Sequence, residues 1–263
     1  MAIKNVRDLV YTLTGNYYSE DRLHSLKQKI VSMLKDRGEI NSEDDLNGKI
    51  SMLLKKKELA DELINYITIN ETSFFRHKEQ LKVFSDNFLD DILKNPIGKI
   101  LSAGCSTGEE PYTIAMIMLK KNPTLTTRRV VGIDISTKAL NTAKEGKYPY
   151  RSINYIPEEY RDFVEVDGRY IKIKENVKSI VDFHKGNVVA NACLFKSMFS
   201  AVFFRNVLIY FTPEKKRKAL ENLNNALKPD GVLVLAPTES IGQENLDLFE
   251  PFKIGRFTFF RKK

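Results

Sequence analysis

Two glycines four positions apart, Gly104 and Gly108, mark the stretch of this chain whose residues most clearly indicate chemistry. An apolar run over residues 99–103 precedes them, and the stretch that begins at Pro111 has the pattern of a helix. A strand that leads through a glycine turn into a helix lets the backbone of an α/β sheet approach a nucleotide-like ligand. The spacing differs from G-x-G-x-x-G, so the turn alone does not indicate a dinucleotide.

Two carboxylates, Glu109 and Glu110, follow the second glycine and narrow the choice of ligand. Backbone N–H groups and the helix dipole make a helix N-terminus attractive to anions. Negative side chains there stand where a pyrophosphate would bind. A nucleoside that carries positive charge fits better, and S-adenosylmethionine (SAM), with its sulfonium and ammonium groups, is the obvious candidate.

Asp134 ends the next apolar run, 129–134, and lies at the edge of the sheet that the glycine turn also faces. Its two acceptor oxygens suit the diol of a ribose. The alternative interpretation is an N-cap for the helix that begins within 136–139. The neighbouring glycine turn favours the ribose.

Residues 203–211 combine a buried run with polar side chains at its end. Arg205 and Asn206 stand at the carboxyl edge, where open α/β sheets bind ligands. Tyr210 follows four positions later. It is either a site residue or a core aromatic residue whose hydroxyl group is hydrogen-bonded within the protein. Thr212 and Pro213 have the pattern of a helix cap and first turn.

Two further segments stand near the same edge. Residues 68–76 contain two phenylalanines that would pack on the sheet and bring Thr72 and Arg76 over it, unless the segment is only a hydrophobic hinge with a solvated arginine. Residues 186–188 follow the third strand-like run, and the backbone around Asn187 and Val188 would meet an adenine, or form an ordinary turn.

Positioning these residues requires a parallel sheet. Helical stretches lie between several short apolar runs, which predicts a sheet covered by helices on both faces. A closing antiparallel pair is expected at 251–254 and 256–261, and a hairpin around Asp167 and Gly168 predicts a small β insertion at about 148–178. The sheet runs are 99–103, 129–134, 179–184, 200–204 and 231–236.

Residues 4–69 show apolar side chains at helical spacing, such as Val6, Leu9, Val10 and Leu13. We expect about four helices, the third of them after residues 41–45. The predicted organisation is an N-terminal helical domain over 1–70 and a SAM-binding domain over 71–263 that carries the β insertion.

Composition and sequence patterns argue against several classes of protein, among them membrane-spanning, secreted and metal-binding proteins. The 263 residues are 42% apolar without a run long enough to cross a membrane, and the first residues lack a signal peptide, so we expect a cytoplasmic protein. Cys105 and Cys193 are expected to be free thiols, and three scattered histidines have no metal-ligand spacing. The net charge of +8 would favour binding to an acidic protein partner or to a nucleic acid. Alternatively, it reflects only ordinary lysines exposed to solvent.

Four segments together resemble the CheR family of chemoreceptor glutamate methyltransferases, over essentially the whole chain. They are Asn70-Glu-Thr-Ser-Phe-Phe-Arg76, Gly104-Cys-Ser-Thr-Gly-Glu-Glu-Pro-Tyr112, Ile133-Asp-Ile135 and Arg205-Asn-Val-Leu-Ile-Tyr-Phe211. The first and last are specific to this family. The resemblance implies a Rossmann-like methyltransferase fold, SAM as cofactor, and chemoreceptor cytoplasmic helices as partner of a monomeric enzyme.

The resemblance also assigns roles. Glu110 is expected at the methionine end of SAM, whereas Glu109 is expected to face solvent. Arg76 and Tyr210 would hold and orient the substrate glutamate, which is already ionised and needs no general base. The implied SAM site comprises Asn70, Thr72, Arg76, Gly104, Gly108, Glu110, Asp134, Asn187, Val188, Asn206 and Val207.

Some features depart from the family pattern. The strand before Arg205 lacks a usual acidic residue, and residues 235–240 replace a usual glycine-containing turn. The short hairpin favours an enzyme that does not depend on a receptor's C-terminal pentapeptide. Two rival interpretations remain: a nucleic-acid methyltransferase, for which no base-holding tetrad or RNA-binding module is found, and a SAM-binding adaptor that has lost catalysis.

Overall fold

The structure, a computed structural model, describes residues 2–46, 48–49, 55–68, 70–190 and 195–263. Its centre is a seven-stranded sheet in the order β6-β2-β1-β7-β8-β10-β9. The first five strands in that order are parallel, and β10 and β9 are antiparallel. These strands are β1 (Ile100–Ala103), β2 (Val130–Asp134), β6 (Val181–Lys185), β7 (Phe199–Phe203), β8 (Leu227–Val234), β9 (Phe249–Ile254) and β10 (Phe257–Lys262).

A second, three-stranded sheet forms the predicted β insertion. It consists of β3 (Lys147–Pro149), β4 (Val164–Asp167) and β5 (Tyr170–Ile173), in the order β3-β5-β4, all antiparallel. Short 3-10 helices over Tyr150–Tyr155 and Glu158–Phe163 connect β3 to β4. The hairpin of β4 and β5 confirms the prediction, whereas β3 was not predicted because three residues carry too little pattern.

Helices cover both faces of the main sheet. In the described residues they are α1 (Ala2–Thr14), α2 (Glu20–Asp36), α3 (Lys57–Ile67), α4 (Lys78–Phe84), α5 (Asp90–Lys94), α6 (Glu109–Lys121), α7 (Thr137–Glu145), α8 (Glu175–Lys178) and α9 (Pro213–Ala226). A π-helical turn, Ser85–Leu89, joins α4 to α5. The cap predicted at Thr212 is present, and its Oγ1 accepts from the N–H of Lys215. Helix α7 is capped by Ser136, whose Oγ accepts from the N–H of Ala139.

Alternate residues of the central strands enter opposite cores. Ile100 packs with α4 and α6 on one face, whereas Leu101 packs with α9 on the other. The same alternation holds in β2, between Val130 and Val131. A sheet buried on both faces explains why these strands read as continuous apolar runs. The predicted parallel sheet and closing antiparallel pair are confirmed, with strand ends that differ by up to four residues.

The N-terminal helices have a core of their own. Val6, Leu9, Leu23, Ile30 and Leu63 are each fully buried in it. The predicted third helical stretch, after 41–45, lies only partly within the described residues, as residues 47 and 50–54 are outside them. The division of the chain at residue 70 stays a prediction. Among the described residues, no helix is long and apolar enough to span a membrane.

Candidate functional site

A cavity opens at the carboxyl ends of β1 and β7, where the strand order reverses direction. Such a switch point is where open α/β sheets bind ligands. The cavity measures about 970 Å³ including its open mouth. It brings together all but one of the site residues predicted from sequence: Asn70, Thr72, Arg76, Gly104, Glu110, Asp134, Asn187, Val188, Asn206, Val207 and Tyr210.

The exception is Gly108, which does not line the cavity. It begins α6 with φ of 94°, and a Cβ built on it would stand 2.7 Å from the Cβ of Ala143 in α7. Gly104, in contrast, lines the cavity with φ of 68°, and a Cβ there would stand 2.8 Å from Val207 Cγ2. Both positions require glycine, but Gly108 serves the packing of α6 on α7.

Asp134 ties two turns together at the cavity. Its Oδ1 accepts from the N–H of Ser136 and its Oδ2 from the N–H of Ser106, both at 2.8 Å. The carboxylate is buried, and burial raises its pKa although these N–H groups oppose the rise. Ser136, rather than Asp134, is the N-cap of α7. Each carboxylate oxygen keeps a lone pair with which a ribose hydroxyl can bond.

Glu110 is already paired inside the protein. Its Oε2 accepts from Arg205 Nε at 2.6 Å, and its Oε1 accepts from Ser102 Oγ at 2.7 Å. The side chains of Arg205 and Glu110 are only 2% and 13% exposed. Arg205 Nη1 also donates to the carbonyl of Arg76 at 2.7 Å, so one guanidinium joins α6, the end of β7 and the segment before α4.

The expectation that Glu109 faces solvent was wrong. Its side chain is buried rather than facing solvent, and its Oε2 accepts from Thr107 Oγ1 at 2.6 Å. Burial raises the pKa of this carboxyl. The backbone carbonyl of Glu109 also accepts from Thr113 Oγ1, one turn later in α6. Both carboxylates in the first turn of α6, those of Glu109 and Glu110, are therefore held by contacts within the protein. The sequence motif alone does not show this.

The two phenylalanines of the segment over 68–76, predicted to pack on the main sheet, have their aromatic partners outside it. Phe74 and Phe75 are buried, with ring centroids 4.9 Å from Tyr148 and 4.7 Å from Tyr160. These partners belong to the β insertion, so the aromatic pair joins the insertion to the cavity. Thr72 and Arg76 line the cavity on either side of them.

The loop after β7 turns sharply at Asn206, whose φ is 62°. Asparagine tolerates this left-handed conformation better than most residues other than glycine. The Oδ1 of Asn206 is buried and has no hydrogen-bond partner among the described residues. Four residues later, the ring of Tyr210 meets that of Tyr18 edge-on, with centroids 6.0 Å apart.

Asn187 and Val188 form both a turn and a cavity wall. Asn187 Oδ1 accepts from the N–H of Val189 at 2.9 Å, and the carbonyl of Val188 accepts from Asn222 Nδ2 at 2.7 Å. These bonds fix the loop after β6 while both residues line the cavity.

Sequence reasoning missed a wall supplied by the connection between α1 and α2. Thr14, Asn16 and Tyr18 line the cavity, and Asn16 forms an antiparallel bridge with Phe211. The N–H of Tyr17 donates to the carbonyl of Tyr210 at 2.7 Å. No local signal marks this pairing, because its partners are almost 200 positions apart. The sequence analysis placed Arg205 in a motif but did not assign it to the site. Its position at the end of a strand was the signal that could have indicated a site residue.

The donor and acceptor set fits SAM. Asp134 offers acceptors to a ribose, and Glu110 offers a carboxylate to an ammonium group. Because the charge of Glu110 is offset by Arg205, the electrostatic preference for a cation at this helix end is weaker than the sequence suggested.

Comparison with known proteins agrees with this geometry. A family model described as "CheR methyltransferase, SAM binding domain" matches residues 70–257. A "Chemotaxis protein methyltransferase" of Borreliella burgdorferi is 31% identical over an alignment that covers 92% of this chain and 89% of that protein. Another from Vibrio parahaemolyticus is 37% identical, covering 71% of this chain and 70% of that protein.

Proposed function

The chain belongs to the CheR methyltransferase family, and from that premise we propose that it transfers the methyl group of SAM to glutamate side chains on chemoreceptor cytoplasmic helices. The products are glutamate methyl esters and S-adenosylhomocysteine. One observation carries the proposal: Arg76 and Tyr210, a cation and a phenol suited to a carboxylate, line the same cavity as Glu110 and Asp134.

The cavity suits a substrate that is already a nucleophile. SAM supplies a methyl group made electrophilic by a positively charged sulfur. A glutamate side chain is ionised at neutral pH, so no base has to remove a proton. Rate then depends mainly on alignment and on the exclusion of water.

Arg76 and Tyr210 would provide that alignment. Among the described residues, the Arg76 guanidinium makes one long hydrogen bond, 3.3 Å from Nη1 to the carbonyl of Glu71. Its other donors would then serve a substrate carboxylate. A charge-assisted hydrogen bond from arginine to carboxylate is among the stronger polar contacts in proteins. The Tyr210 hydroxyl would donate a second hydrogen bond, with its ring held against Tyr18.

The proposed partner is an acidic, glutamate-bearing receptor helix, which the net charge of +8 attracts at a distance. We propose that the enzyme acts in the cytoplasm as a monomer, without nucleic acid. Independence from a receptor's C-terminal pentapeptide is also proposed, since β4 and β5 have only four residues each.

Methyl transfer to receptor fragments tests the proposal. The protein is incubated with tritiated SAM and chemoreceptor cytoplasmic fragments, and base treatment then releases labelled methanol from glutamate esters. Arg76→Ala and Tyr210→Phe are expected to lower turnover at least tenfold while the Kd for SAM, measured by calorimetry, rises less. Arg128→Ala, whose side chain pairs with Asp182 away from the cavity, is the control.

Three results would contradict the proposal. Unchanged turnover in both variants would remove Arg76 and Tyr210 from the reaction. Tight SAM binding without any labelled ester would favour a SAM-binding adaptor. Label transferred to RNA or DNA, together with salt-sensitive binding, would favour a nucleic-acid methyltransferase.

A further inference from the structure

Glu239 lies in residues 235–240, a segment that departs from the family pattern and that the proposed reaction does not use. One oxygen of its carboxylate, Oε2, accepts from the N–H of Asn206 at 2.8 Å and from the N–H of Ala236 at 3.1 Å. Asn206 follows β7, and Ala236 follows β8. A single oxygen thus ties together the ends of two neighbouring parallel strands, at the edge where the cavity opens.

The bonded N–H belongs to the residue that turns the loop. Asn206 has φ of 62°, a left-handed conformation that asparagine tolerates better than most other residues with a side chain. The hydrogen bond from its N–H to Oε2 of Glu239 holds the turn in this conformation. The turn sets the direction in which the chain leaves β7 toward Val207 and Tyr210.

The rest of the carboxylate faces the same turn. Oε1 is buried without a hydrogen bond of its own among the described residues. Burial raises the pKa of Glu239, and the N–H groups of Leu208 and Ile209, together with those of Asn206 and Ala236, oppose the rise. The hydrogen bonds of the carboxylate hold the loop at Asn206 and the strand end at Ala236.

We infer that Glu239 is a positioning residue for methyl transfer, which fixes the loop of residues 206–210 and through it the Asn206 wall of the SAM site and the Tyr210 hydroxyl. Glu239 itself does not line the cavity. The inference rests on the proposed function for its turnover readout, but its effect on SAM binding is independent of the acceptor substrate.

Three substitutions separate hydrogen-bond geometry from charge. Glu239→Gln keeps an oxygen at the same reach, Glu239→Asp keeps the charge but shortens the side chain by one methylene, and Glu239→Ala removes both. Glu250→Ala, an exposed carboxylate on β9, is the matched control. Turnover on receptor fragments, the Kd for SAM and the thermal midpoint are measured for each.

Glu239→Asp and Glu239→Ala are expected to lower kcat more than tenfold and to raise the Kd for SAM about fivefold. Glu239→Gln is expected to stay within fivefold in kcat, with the Kd for SAM unchanged. The rescue by glutamine is the readout that a merely structural carboxylate, or a purely electrostatic one, would not give.

The inference is overturned if Glu239→Asp retains activity while Glu239→Gln loses it, since charge would then be the property that matters. Wild-type turnover in all three variants overturns it equally. If the wild-type protein methylates no receptor fragment, the proposed substrate is wrong, and the Kd values for SAM still decide: a rise in the Asp and Ala variants alone supports the role of Glu239, and equal values refute it.

Discussion

Replacing Arg205 by alanine is expected to lower the free energy of unfolding by about 4 kcal/mol. The Arg205–Glu110 pair is buried, with side chains 2% and 13% exposed and Nε 2.6 Å from Oε2. Removing one partner of such a pair leaves an uncompensated buried charge, which costs about 3–5 kcal/mol. The lost bond to the carbonyl of Arg76 adds about 1 kcal/mol, partly recovered through rehydration.

Urea unfolding monitored by circular dichroism measures this change, with free energies from linear extrapolation. The double variant Arg205→Ala/Glu110→Ala is expected to be less destabilised than the sum of the two single variants, by about 2 kcal/mol, because the orphaned carboxylate is gone. Lys82→Ala, which breaks an exposed pair with Asp86, serves as control and is expected to cause no measurable change.

A loss below about 1 kcal/mol in Arg205→Ala would refute the reasoning, because the pair would then behave like an exposed one. Strict additivity in the double variant would show that Arg205 and Glu110 do not stabilise each other, whatever their distance. Arg205→Lys keeps the charge but loses the fork of donors, and it is expected to fall between wild type and alanine.

Three further outcomes are expected. Asp134→Asn should raise the Kd for SAM about tenfold in calorimetry, since one of the acceptors proposed for the ribose becomes a donor; an unchanged Kd would count against that role. Gly108→Ala should destabilise the fold by about 2–4 kcal/mol through its φ of 94° and its clash with Ala143, whereas Gly168→Ala, in open space, should cost about 1 kcal/mol. Glu109→Gln should stabilise the fold at pH 8 and lose that advantage as the pH falls toward 4.5, because the pKa of Glu109 is raised in the folded state and wild type gains stability when this carboxyl is protonated. Equal gains for the variant in urea unfolding at pH 8 and pH 5 would contradict the raised pKa.

The main sheet was predictable because each strand carries its own signal. Burial on both faces makes β1, β2 and β7 short and continuously apolar, and a polar residue such as Asp134 or Arg205 marks the end of a strand. The cavity was predictable for the same reason, since the carboxyl ends of parallel strands meet at one edge. Strand β8 begins earlier than predicted because pairing with β7, rather than composition, sets its first residues.

The structural features that the sequence did not predict depend on pairs of residues that are distant in sequence. The pairing of Glu110 with Arg205 and the tie from Glu239 to Asn206 both join segments that no window of residues shows together. Gly108 escaped for a related reason: the sequence showed that a glycine was needed there, and only the approach of α7 shows that the need is packing rather than ligand contact.

The bridge between Asn16 and Phe211 has a consequence for the order in which the enzyme matures. During synthesis, residues 14–18 leave the ribosome long before the strand end that they pair with. The hydrogen bond from Tyr17 to the carbonyl of Tyr210 can form only after most of the chain is complete. The connection between α1 and α2 therefore cannot take up its position against the cavity until the Tyr210 loop has been synthesised.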